Sequence, residues 1–130
     1  MPKIVGAKVL VVEDEFMVAL ELEQALCDLG CAVLGPAASA EDALRLLERE
    51  RPDAATLDVR LRDGRVTPVA ERLRAAGVPF VLVTSCGEGE LPEPVLRDAP
   101  RLDKPCDARG LRPAITRLLP GEMRQCLPAA

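Results

Sequence analysis

The sequence contains no histidine, tryptophan or tyrosine, and its only aromatic side chains are Phe16 and Phe80. Without histidine the chain cannot use an imidazole as nucleophile, general base or phosphoryl carrier; such chemistry must come from another protein. Without Trp or Tyr there is no stacking platform for single-stranded nucleic acid, and a net charge of -4 disfavours a phosphate backbone, so no nucleic-acid partner is expected. The cysteines, Cys27, Cys31, Cys86, Cys106 and Cys126, are odd in number and include no C-x-x-C pair. With no histidine beside them, they argue against a zinc site. No apolar run is long enough to cross a bilayer, and the start Met-Pro-Lys-Ile-Val-Gly has no signal-peptide core. These features predict a cytoplasmic protein, not inserted in a membrane, with reduced thiols.

What is present is a chain of 130 residues, 48% of them apolar, enough for one domain whose core rests on Leu, Val, Ala and Ile. Lys8 to Val12 is a continuous apolar run, as expected of a strand buried on both faces. Phe16 to Leu29 reads as a helix through Ala19, Leu22, Leu26 and Leu29, stopped by Gly30. Cys31 to Leu34 is a second strand closed by Gly35-Pro36. Ser39 is expected to cap a helix from Ala40 to Glu50, with Asp42 completing a variant capping box. Strand three is Ala54 to Val59, followed by a polar loop containing Asp63-Gly64. Thr67-Pro68 looks like an N-cap with proline at the first helical position, opening a helix to about Ala76. Strand four is Pro79 to Val83. The Gly- and Pro-rich stretch from Gly87 to Pro100 leaves room only for a short helix near Pro94 to Arg97. A brief strand near Arg101 to Asp103 precedes a last helix capped by Asp107, with Leu111, Ile115 and Leu118 on one face, and residues 120–130 read as a loose tail.

Strand and helix thus alternate five times, which predicts an α/β fold: a flavodoxin-like, doubly wound (βα)5 domain with a five-stranded parallel sheet in the order 2-1-3-4-5 and a degenerate fourth helix. In that order strands one and three lie side by side at the topological switch point, so Asp14 and Asp58 face each other across the crevice at the strand ends. Glu13, Asp14 and Asp58 would crowd carboxylates that cannot all stay ionised without a cation, and Mg²⁺ is the natural one. The plainer role for Glu13-Asp14 is a helix cap, and for Asp58 a cap of the following turn. Asp58 also has the chemistry of a nucleophile that forms an acyl phosphate. Lys104, before Pro105 in a candidate cis peptide, could reach phosphoryl oxygens as a point charge, or be an ordinary surface lysine. Thr84 could hydrogen-bond the same anion or merely cap a turn.

These residues sit in V-L-V-V-E-D-E, L-D-V-R-L-R-D-G, V-L-V-T-S and D-K-P, in that order, and together resemble the receiver domain of bacterial two-component response regulators over roughly Lys8 to Leu119. The resemblance implies Asp58 as phosphoacceptor, Thr84 and Lys104 as its partners in catalysis, and Mg²⁺ held by Glu13, Asp14, Asp58 and the backbone carbonyl of Arg60. It implies a sensor histidine kinase or phosphotransfer protein as donor, and self-phosphorylation and self-dephosphorylation rather than metabolic enzyme activity. Residues 1–119 would be the receiver domain and 120–130 a tail, with no output domain, so that output runs through a phosphorelay, a phosphate sink or protein contact. P-F-V-L-V-T-S-C-G also loosely resembles a single-domain subgroup with the signature P-F-x-F-A-T-G. Where the family carries an aromatic three positions before the lysine, this chain has Arg101, which implies an altered switch. That departure motivates an alternative: a receiver-fold interaction module that works without phosphorylation. Arg60 and Cys86, two positions after Asp58 and Thr84, are expected to border the phosphate and tune its lifetime. A redox pair of Cys86 and Cys106 is a third expectation.

Overall fold

The computed structural model describes residues 6–85, 91, 93–104 and 108–119. Along the chain lie β1 (Lys8–Val12), α1 (Phe16–Asp28), β2 (Ala32–Ala37), α2 (Ala40–Arg49), β3 (Ala54–Leu57), β4 (Arg60–Leu61), β5 (Gly64–Arg65), α3 (Thr67–Ala75), β6 (Phe80–Thr84), α4 (Pro94–Arg97), β7 (Arg101–Asp103) and α5 (Ala108–Leu118). Five strands form one parallel sheet in the order β2-β1-β3-β6-β7. This is the expected 2-1-3-4-5 order, since β4 and β5 pair only with each other as a small antiparallel hairpin after β3.

The sheet separates two apolar layers, and the strands assign residues to them by simple alternation. Leu10, Val12, Ala55, Leu57, Phe80 and Leu82 point to one side, where Ala43 of α2, Val69 and Leu73 of α3 and Leu96 of α4 cover them. Val9, Val11, Ala54, Val81 and Val83 point to the other, beneath Leu22 and Leu26 of α1 and Leu111 and Ile115 of α5. Both faces are covered, so the central strands are buried at every position but Lys8 and are mostly apolar, with Thr56 and Thr84 the buried exceptions.

Apart from one-residue differences at the ends of α1 and α2 and at the start of β2, the observed elements depart from expectation in five places. β2 does not stop at Leu34 but runs to Ala37 through a cis Gly35-Pro36 peptide. It is an edge strand, where a residue without N–H is tolerated, and its register with β1 shifts between Leu10 and Val12. Gly35, at φ +95°, has no room for a side chain, since a Cβ would lie 2.9 Å from the Ala37 nitrogen. β3 ends at Leu57 rather than Val59, because the chain turns there into the β4–β5 hairpin. β6 runs from Phe80 to Thr84, one residue later than Pro79 to Val83. Thr67 is the first residue of α3 and not its cap: Val66 takes that position, and the Thr67 hydroxyl is committed elsewhere. Leu111 and Ile115 of α5, and Leu119 directly after it, form the buried face, with Leu118 only partly buried, which is the four-residue spacing of a helix facing a sheet. Ser39 does cap α2, accepting from the Asp42 N–H at 3.1 Å. Asp107 and the tail 120–130 lie outside the described residues, as does the Lys104-Pro105 bond.

Candidate functional site

Register puts the site together. Val12 pairs with Leu57, so the next residues, Glu13 and Asp58, leave adjacent strands at the same level. Leu57 pairs with Leu82 and Thr84 with Asp103, so Thr84 and Lys104 emerge beside them on the same edge. Glu13, Asp58 and Thr84 are buried although polar. Carboxylate oxygens of Glu13, Asp14 and Asp58 lie within 4.8 Å of one another.

Lys104 is the cation among these acids. Its Nζ donates to Asp58 Oδ2 at 2.9 Å and to Glu13 Oε2 at 3.1 Å, and lies 3.5 Å from Glu15 Oε1. Glu13 Oε1 is also 2.9 Å from Nζ, but as a charge contact without hydrogen-bond alignment, which leaves this buried oxygen with a free lone pair. Burial pushes the Glu13 carboxyl up to about 7, against the opposing pull of Lys104. Burial acts on Lys104 in the opposite sense, but its bonds to Glu13 and Asp58 outweigh that and hold it protonated. Three carboxylates against one ammonium leave the pocket short of positive charge. A converging set of hard oxygen donors, one of them buried and unsatisfied, fits a Mg²⁺ ion. Neither Glu13 nor Asp14 serves as a helix cap: that position is Glu15, whose N–H donates to Glu13 Oε2 at 3.1 Å.

The sequence pattern did not reveal three long-range polar contacts. Glu15 reaches Lys104. Asp63, expected only to make a turn, accepts from the Ala40 and Glu41 N–H groups at 2.9 and 3.2 Å and so caps α2 from outside. The first of those bonds holds its carboxyl below the usual range. Arg65 makes a forked pair with Glu93, both bonds 2.7 Å, and Glu93 also accepts from the Thr67 hydroxyl at 3.0 Å. The Asp-Gly turn signal was visible in the sequence, but its partners lie more than 20 residues away, where no local pattern points.

Arg60 is exposed at the start of the hairpin, and Arg101 is half-buried at the start of β7, paired with Leu82. Cys86 and Cys106, the expected redox pair, lie outside the described residues. Of the two described cysteines, Cys27 is an exposed free thiol, whereas Cys31 is buried and its thiol is pushed up to about 11 by that burial.

The response regulator receiver domain model matches residues 9–116. The chain belongs to this family. The receiver domain is 32% identical over 116 residues to the transcriptional regulatory protein PdtaR of Mycobacterium tuberculosis, covering 85% of this chain and 56% of that protein. It is 32% identical over 96 residues to the phyllosphere-induced regulator PhyR of Methylorubrum extorquens, covering 68% of this chain and 36% of the relative. The chain thus spans from about a third to just over half the length of these curated relatives. Among solved structures, SdrG from Sphingomonas melonis Fr1 superposes with a TM-score of 0.76 at 38% identity, over 87% of this chain and 96% of that one. PhyR from Brucella abortus gives a TM-score of 0.76 at 29% identity, over 95% of this chain and 51% of that one. The receiver domain is a response regulator module of two-component signalling. Among the described residues no helix is long and apolar enough to cross a membrane.

Proposed function

We propose that this receiver domain accepts a phosphoryl group on Asp58 from a histidine of a partner kinase or phosphotransfer protein, with Mg²⁺ held by Glu13, Asp14, Asp58 and the Arg60 carbonyl. The observation that carries the reading is the convergence of three carboxylates and Lys104 at the ends of neighbouring strands. Asp58 supplies the attacking oxygen: a P–O bond forms as the donor's P–N bond breaks, and the electron pair returns to the imidazole. Mg²⁺ supplies neutralising charge to the phosphoryl oxygens. Lys104 and Thr84 are positioned to pair with those oxygens from the other side, which requires Lys104 to loosen its hold on Asp58. The acyl phosphate is later lost to water, so the chain catalyses reactions only on itself. A donor histidine must lie outside these 130 residues, which contain none. The exposed large hydrophobics Phe16, Met17 and Leu20 lie together in the first turns of α1, next to the acidic residues, and support docking of a protein there. Relay, phosphate sink and contact with a downstream protein are all compatible outputs of such a domain in the cytoplasm.

The test is intact mass after incubation with acetyl phosphate, with and without Mg²⁺, for the native chain and Asp58→Ala. A single Mg²⁺-dependent phosphoryl adduct that disappears in the variant is expected. No adduct from either acetyl phosphate or a phosphorylated histidine donor would favour the second reading, a phosphorylation-independent interaction module, which half-buried Arg101 motivates.

A further inference from the structure

The β4–β5 hairpin carries Arg60, whose carbonyl is the backbone member of the proposed cation site, and polar bonds tie that hairpin down at both ends. At its tip Asp63 is bound to the N-terminus of α2 through two backbone N–H groups. At its open end the Arg65 guanidinium is forked onto Glu93, directly before α4, and the Thr67 hydroxyl donates to the same carboxylate. Arg65 is the cross-strand partner of Arg60. The Val66 N–H donates to the Val59 carbonyl at 2.9 Å, and the Arg60–Arg65 pair falls between this hydrogen-bonded position and the next. By the alternation of an antiparallel ladder, the Arg60 carbonyl is left out of the ladder. It is therefore free to serve a ligand, and its position depends on how firmly the hairpin is held.

We propose that Glu93 is a positioning residue for the cation site: through Arg65 it fixes the hairpin, and through the hairpin the Arg60 carbonyl. A two-toothed, charge-assisted pair is suited to this, because it sets orientation as well as distance. Glu93 touches none of the site's own residues among the hydrogen bonds and ion pairs that hold it. Coupling is reciprocal, so a cation that prefers the fixed hairpin also holds Glu93 and the start of α4 in place. In a domain with an arginine where the family carries its switch aromatic, this gives the site a connection to α4 that does not pass through position 101.

The inference rests on the reading of Glu13, Asp14 and Asp58 as a Mg²⁺ site, and the test separates the two. Mg²⁺ is titrated into the isotope-labelled full chain, and the backbone amide shifts of residues 13, 59 and 60 give the dissociation constant. Glu93→Gln is expected to weaken Mg²⁺ about tenfold, as loss of a residue that orients a metal ligand does. Arg65→Glu is expected to do the same, and combining it with Glu93→Arg to restore affinity to within about threefold, since the swapped pair recovers the fork. Arg65→Lys, which keeps the charge and is the milder change for folding, is expected to fall between. A purely structural role would lower the thermal midpoint without moving the constant. Affinity within about twofold of native in Glu93→Gln and Arg65→Lys overturns the proposal and leaves the cation site standing. A native chain whose amides do not respond to Mg²⁺ overturns the site reading and this proposal with it.

Discussion

The two flanks of the sheet are built differently. On one, β1 lies under a 13-residue α1 and beside β3, and the chain leaves the two strands with Glu13, Asp14 and Asp58. On the other, β7 is three residues long and α4 is a single turn, held by buried Leu91 and Leu96 and by the bonds that Glu93 accepts from Arg65 and Thr67. Of the acids, Glu13 and Asp58 are buried and Asp14 is half-buried. The short flank contributes Thr84 and Lys104, one at each of its strand ends, and its helix is attached by a few polar bonds. A well-packed acidic edge beside a lightly attached short helix gives the two flanks different expected stabilities against local opening.

The largest effect should come at the acids. Asp58→Ala should abolish the phosphoryl adduct completely while leaving the fold intact, read by mass and by amide dispersion. Next is the cation itself: Glu13 carries a folded-state pKa near 7, above its usual 4.5. Below that pH a proton on Glu13 competes with Mg²⁺, so affinity should fall about tenfold from pH 8 to pH 6, measured by calorimetry. A flat profile would mean that Glu13 is not a ligand.

Packing distinguishes the flanks more directly. Leu26→Ala in α1 should cost about 3 kcal/mol in urea unfolding, and Leu96→Ala in α4 nearer 2, because a one-turn element can collapse into the space left behind. Equal costs would erase the contrast. The smallest effect is at the link between β5 and α4. The Arg65 guanidinium first, then the backbone N–H of Glu93 itself and the Thr67 hydroxyl, hold the Glu93 carboxyl down to about 2, below its usual 4.5. Its contribution is therefore complete above about pH 4.5 and is lost as pH falls toward 2. Glu93→Gln should flatten that stretch of the acid-unfolding curve.

Much of this was legible in the residues. The continuous apolar strand Lys8–Val12, the spacing of Ala19, Leu22 and Leu26, and the alternation of strand and helix led to the sheet order, and strand-end chemistry led to Glu13, Asp14, Asp58, Thr84 and Lys104. Less legible was the passage of β2 through Gly35-Pro36, since a proline that breaks a central strand is tolerated on an edge, and which strand is the edge is a property of the whole sheet.

The sequence by itself determined the fold class and the chemistry available at the strand ends, because periodicity and residue type are local. Tertiary structure alone decided that Lys104 lies between Glu13 and Asp58, that Asp63 caps α2, and that Arg65 grips Glu93. Those partners are 91, 46, 23 and 28 residues apart. Side chains so distant along the chain meet only after the sheet has set where each strand ends.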